Sequence, residues 1–497
     1  MLKLFGGAAD HPMRNPKEAR RILEALPAED LKALEELAHW LESVSVAEGF
    51  KPAERAALVC AVDEAAAPRL RKLAREYCGT ARPSRYQENR MWTQLHEYWK
   101  QAGLAFGRTL DGAQAPKALE PKSLALAATR ALRAAAQQIK WQHMRYGPVD
   151  PAAWGILNKV YAYCEARGLA DGKLALYPTG GETSPKQEFL KALIFSASSP
   201  DSLLAAEVEL VERVIAELAP SYLLANAPAA GLLYWTDLGR AMAPQRIVKP
   251  PEASAGLRCF GPGNALAAVQ AIIQRAEATR ELPPSLGPVT DAEAALDVLR
   301  HLAVLWSPEP PERKHARHMV KSRLTIAHGF AGVLQAVGEA GASLDFDQKA
   351  AESWVVENVS AGGFGAIVPQ AKGDWLRVGA LLAMQPDGGN NWLVGAIRRV
   401  SRISAQEARV GIESLSRAPK VVKFRVRGLG EETGLLLPSA VLGSGEVSIA
   451  LRAGVYPPGQ NLEASFEGRE HVYLPQGGPE RAEDYELIRF REMIRES

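Results

Sequence analysis

The hydrophobic period of this chain changes once, at the proline-rich run Ser307-Pro-Glu-Pro-Pro-Glu312, and nothing else in the sequence constrains the fold as much. Before it, apolar residues recur at three- and four-residue spacing. After it, they alternate with polar residues at every second position. A helix and a strand present different periodicities to a core, so the two halves must fold as different classes of structure. The expected architecture is multidomain: an all-α domain over residues 1–306, a small β-barrel or sandwich domain over 307–418, and a small C-terminal β segment over 419–497. The 497 residues leave room for these parts, at about 100–200 residues per domain.

In the first half, Leu31, Leu34, Ala38 and Leu41 form a helical stripe after a start signal at Pro27-Ala-Glu-Asp30. Further helices are predicted over about Pro52–Tyr77, Arg85–Phe106 and Ser123–Tyr146, the last stopped by Gly147-Pro148. Asp150, Asp201, Asn264 and Asp291 are placed to cap others. Gly168 to Ser184 reads as loop. Its Gly180-Gly181 pair lacks the preceding strand and the Lys-Ser/Thr ending that a phosphate-cradling loop needs. Ala225 to Gly263, rich in Pro and Gly, suits short strands or loop. No fixed repeat period appears, so a compact helical domain is expected rather than a solenoid. His39, His96 and His143 lie in helical runs beside Trp or Met and read as packing or surface residues.

Beyond Pro308, Leu324 and Ile326 alternate with Thr325 and Ala327, and Trp354/Val356 and Trp392/Val394/Ala396 repeat the pattern. Asp387-Gly-Gly-Asn-Asn391 is a hairpin-type turn. Short strands with such punctuation argue for a small barrel or sandwich. Val422, Phe424 and Val426 continue the alternation, in a segment that either completes this barrel or forms a second one. The last run, Ala482 to Arg495, reads as an amphipathic helix.

Two motifs in this half carry chemistry. Arg313-Lys-His-Ala-Arg317 follows the proline run directly, and Asn358-Val-Ser360-Ala-Gly-Gly363 lies between two apolar strands. A guanidinium donates paired hydrogen bonds to phosphate oxygens or to guanine O6 and N7, and it stacks on a purine face. Asn both donates and accepts, Ser adds a hydroxyl, and Gly permits close backbone approach. In order and content the stretch Arg313 to Ser416 resembles the PilZ domain, a small β-barrel family that binds cyclic di-GMP. The resemblance implies that Arg313 and Arg317 clamp the ligand, with Ser307–Glu312 as the hinge that lets them close. It also implies that Asn358, Ser360 and Gly363 hold the guanine edge and the sugar-phosphate. Gly395, Gly411 and Val410-Gly-Ile-Glu413 fit the family's later strands. The spacing from Arg317 to Asn358 exceeds that of a minimal PilZ domain, and the excess is assigned to a surface loop over Val337–Ala351.

The expected function is therefore a cytoplasmic cyclic di-GMP receptor, with a protein partner engaged through the helical domain. The alternative is a non-binding scaffold with a degenerate barrel. A net charge of +2 with dispersed basic residues gives no reason to expect a nucleic acid polymer or a membrane surface as partner. No apolar run is long enough to span a bilayer. Cys60, Cys78, Cys164 and Cys259 lack metal-type spacing and suit a reducing compartment. His315 and His318 would need a third metal ligand, and the arginines and lysine beside them repel a cation. No catalytic arrangement, metal or cofactor is expected.

Overall fold

The computed structural model describes residues 9–79, 84–113, 118–279, 281–287, 291–309, 315–338, 352–369, 375–426, 430–438, 445–466 and 468–495. The chain divides into two units, Met1–Pro311 and Glu312–Ser497.

The first unit holds α1 (Pro16–Glu24), α2 (Asp30–Val46), α3 (Pro52–Tyr77), α4 (Arg85–Gly112), α5 (Pro121–His143) and α6 (Pro151–Ala166). After a two-stranded ribbon, β1 (Leu174–Ala175) and β2 (Glu182–Thr183), come α7 (Pro185–Ala197) and α8 (Ala205–Glu217). The Pro- and Gly-rich stretch forms four short strands, β3 (Leu223–Ala225), β4 (Tyr234–Asp237), β5 (Gln245–Arg246) and β6 (Leu257–Gly261), in the order β3-β6-β4-β5. Helices α9 (Ala265–Thr279) and α10 (Ala292–Leu305) close the unit.

Sequence explains the packing. Helix α5 carries Ala127, Ala128, Ala131, Ala134 and Ala135, all buried, so neighbouring helices approach it closely on several sides. It packs against α3, α4, α6 and α7. That central position buries Arg130, Gln137 and Lys140, among other polar residues, with their partners. Arg130 donates to the Cys60 and Leu176 carbonyls and to Glu64, and it lies 3.5 Å from Asp63. Lys140 pairs with Glu209 and Glu212, and Gln137 also donates to Glu212. A buried charge is tolerated only when paired and hydrogen-bonded in this way. Arg130 thereby ties the 168–184 loop onto the helical core, with Tyr177 stacked over its guanidinium. His96 stacks on Trp92, His143 packs edge-on against Phe195, and His39 is exposed. Asp150 and Asp291 cap their helices. Asp201 does not, because Pro200–Ser202 forms a 3-10 turn and α8 starts three residues later, with Glu207 accepting the Leu204 amide at 2.6 Å.

The second unit opens with β7 (His318–His328), followed by α11 (Gly329–Gly338), β8 (Glu352–Ser360), β9 (Gly363–Pro369), β10 (Leu381–Pro386), β11 (Leu393–Arg402) and β12 (Glu407–Ser416). The strands close into a barrel in the order β10-β11-β12-β9-β8-β7. Leu324, Ile326, Trp354, Val356, Val368, Val410 and Ile412, the alternate positions of these strands, are buried. The spacing between Arg317 and Asn358 is thus filled in part by a helix, and Val337 belongs to α11 rather than to a surface loop. Residues 339–351 lie outside the described residues.

A second closed ring follows, built from β13 (Lys420–Val426), β14 (Gly430–Pro438), β15 (Glu446–Arg452), β16 (Leu462–Phe466), β17 (Arg469–Pro475) and β19 (Tyr485–Arg495), with β18 (Glu480–Arg481) flanking β19. The pairing of β15 with β19 closes it. The expected terminal helix is therefore a strand. Tyr485 and Leu487 face a core shared with the first barrel, whereas Ile488 and Phe490 face the interior of the second. A strand buried on both faces loses its alternation and mimics a helical stripe. The shared core also takes Phe330, Val333 and Ala336 from α11, Leu381, Ala383 and Val394 from the first barrel, and Leu435, Leu437 and Ala450 from the second.

Candidate functional site

The turn between β8 and β9 is where the motif residues gather. Ser360 pairs with Gly363 across it, and the Ser360 hydroxyl donates to the Gly363 carbonyl at 3.4 Å. Gly363 lies against β12 so closely that a Cβ there would come 1.9 Å from the Ile412 carbonyl oxygen. No other residue fits. Two residue pairs inward, Asn358 pairs with Gly365 and lays its amide over it; a Cβ on Gly365 would meet Nδ2 at 2.6 Å. A bulge at Glu357 precedes Asn358 and re-aims the strand just before the motif.

The cationic segment arrives at the same end of the barrel. Strand β7 pairs His318 with Val359 and Met319 with Asn358, which sets Arg317, one residue earlier, level with Ser360. His315 lies against the turn, since a Cβ on Gly362 would meet its ring at 3.0 Å. Arg317, His315 and His318 are exposed. Arg313 lies outside the described residues, as do 310–312 of the hinge. Of the expected site residues, Arg317, Asn358, Ser360 and Gly363 therefore stand at one mouth of one barrel.

Register adds residues that the motif did not name. The row Met319–Asn358–Gly365–Gly411–Arg399 runs across β7, β8, β9, β12 and β11. Its middle is floored by two glycines, and a Cβ on Gly411 would lie 3.4 Å from that of Arg399. The Asn358 amide covers Gly365, and Gly411 lies between Gly365 and Arg399 in this row. Arg417 donates to the Ala361 carbonyl at 3.2 Å and Ser414 to that of Gly362 at 3.0 Å, fixing the turn's backbone. Two further arginines are held by carboxylates. Arg409 pairs with Glu357 at 2.8 Å, and Arg398 with Glu413 at 2.7 Å. Burial disfavours the charge on Arg398, but Glu480 and Glu413 more than offset it and hold the guanidinium firmly protonated.

The arrangement contains an exposed arginine, an Asn amide, a hydroxyl and a glycine-floored surface. Such groups are able to hydrogen-bond a polar ligand. Among the described residues no cluster of three or more His, Cys, Asp or Glu is placed to hold a metal ion, and no described helix is long and apolar enough to cross a membrane.

One comparison bears on the other half of the molecule. Residues 17–228, within the helical unit, match the family model described as cyclic-di-GMP receptor FimW, N-terminal domain. The match supports a cyclic di-GMP receptor, and the barrels that follow are consistent with a PilZ-like module. No curated protein matches the chain.

Proposed function

We propose that this protein binds cyclic di-GMP at the mouth of its first barrel, a PilZ-like module, and that binding changes what the helical unit engages. Arg313 and Arg317 take the phosphates and stack on the guanines. Asn358 and Ser360 read a guanine edge and the adjoining sugar-phosphate, and Gly363 lets them approach. The observation that carries the reading is that two halves of the chain point independently to one ligand: a receptor-family match over residues 17–228, and an Arg–Asn–Ser–Gly set gathered in a separate unit. With Ser307–Glu312 as the hinge, ordering the arginine segment on ligand changes the arrangement that the helical unit presents to its partner. The protein works as a cytoplasmic receptor without catalysis, and its output is a protein partner of the helical unit.

Calorimetric titration of cyclic di-GMP into the full-length protein tests this. Binding at micromolar affinity or tighter is expected, with loss of measurable heat in the Arg313→Ala/Arg317→Ala variant. A folded wild-type protein that takes up no ligand would overturn the reading. So would a double variant that binds as tightly as the wild type.

A further inference from the structure

An acidic hairpin leads into the last strand of the second barrel. Glu480, Glu483, Asp484 and Tyr485 each contact the first-barrel segment. Glu480 takes Arg398 in two contacts, Nη1 to Oε1 and Nη2 to Oε2, the latter at 3.4 Å. Glu483 pairs with Arg377 at 2.8 Å. Asp484 accepts the Phe330 amide at 2.6 Å, at the start of α11, and the Tyr485 hydroxyl donates to the Gly379 carbonyl at 2.9 Å.

The first of these contacts leads to the ligand turn. Arg398 is held at both ends, because its Nε donates to Glu413 Oε2 at 2.7 Å while its Nη atoms face Glu480. Glu413 is the residue paired with Gly363, and its neighbours Ile412, Ser414 and Arg417 make the backbone contacts to Gly363, Gly362 and Ala361. A guanidinium fork that serves two carboxylates has one orientation in which both are satisfied. Glu480 therefore selects the orientation of Arg398, and Arg398 that of the strand segment which seats the turn.

We propose that Glu480 of the second barrel is a positioning residue for the Ser360–Gly363 turn, acting through Arg398 and Glu413, so that the second barrel is part of the ligand-binding apparatus. The proposal rests on the cyclic di-GMP reading for its ligand, though not for its geometry. Linkage fixes the reciprocal effect: if the hairpin contact favours the liganded turn, ligand must tighten the hairpin.

The test uses full-length wild type, Glu480→Gln, Glu413→Gln, their double variant and Glu483→Gln. Cyclic di-GMP affinity is measured by calorimetry, and amide hydrogen exchange is followed over 360–363 and 480–486. Glu480→Gln is expected to weaken binding about two- to five-fold, the range that one partly exposed charge-assisted contact supplies. The double variant should be no weaker than the weaker single, because both act through Arg398. Without ligand, exchange at the turn should quicken in Glu480→Gln. With ligand, the hairpin should be protected in the wild type and not in that variant. Glu483→Gln breaks a contact of the same hairpin that does not lead to the turn, and it should keep wild-type affinity. Equal weakening by Glu483→Gln, or wild-type affinity in Glu480→Gln, overturns the proposal. If the wild type binds no cyclic di-GMP, the nucleotide reading fails by itself. The ligand-free exchange at the turn then decides this one, faster in Glu480→Gln upholding it and unchanged overturning it.

Discussion

Gly363 shows how much one residue can be fixed by its neighbours. A methyl group there would lie 1.9 Å from the Ile412 carbonyl oxygen, so Gly363→Ala must push β9 and β12 apart. Overpacking of this kind costs about 1–3 kcal/mol. Urea unfolding should report that loss, and ligand binding should fall with it. In the helical unit, burial pushes the His143 imidazole down to about 4, against a smaller opposing influence of Asp201. The unfolded chain then binds a proton below its ordinary value of about 6.5 that the folded chain takes up only near pH 4, so stability falls as pH drops through that window. Between pH 7 and pH 5 the loss attributable to this group is about 2 kcal/mol, and denaturant melts of His143→Leu should lack that part of the slope. Asn358, Ser360 and Gly363 were legible in the sequence because they sit within six residues, where local spacing fixes their neighbourhood. Arg398 and Arg399 were not, and Glu413 was read only as part of a later strand, because strand register alone makes them neighbours of the motif.

At the scale of elements, β19 carries the second ring, since it hydrogen-bonds to both β15 and β17. Ile488 is fully buried inside that ring. Ile488→Asp places a carboxylate where no partner is available, and the expected cost is several kcal/mol. Proteolysis should then release fragments from 420–495, while helical content in the far ultraviolet stays near that of the wild type. The same strand shows where pattern reading fails. Residues 485–488 are buried in succession, and the sequence does not say that two different cores receive Tyr485 and Leu487 on one side and Ile488 and Phe490 on the other. The helices were easier to read, because each of α3, α4 and α5 is long and starts or stops at a Pro, Ser or Gly signal. Helix α11 escaped notice inside the barrel domain because its ten residues are short and rich in Gly and Ala.

For the whole molecule, the division at Pro311/Glu312 predicts two calorimetric unfolding transitions. Cyclic di-GMP at about a hundred times its dissociation constant should raise the barrel-unit transition by the equivalent of about 2.7 kcal/mol. The helical-unit transition should move less, and equal movement of both would show that they unfold as one. The sequence by itself determined the two classes of structure, because a change of hydrophobic period is a local property that no tertiary contact needs to supply. It also placed Asn358, Ser360 and Gly363 around one turn, because their spacing is local too. Only the tertiary structure decided that the segment after Lys420 closes on itself as a second ring, and that Glu480 reaches Arg398 across 82 positions of chain. Closure and cross-barrel contact depend on register and on which strand edges meet, and those are settled by packing between residues far apart in sequence.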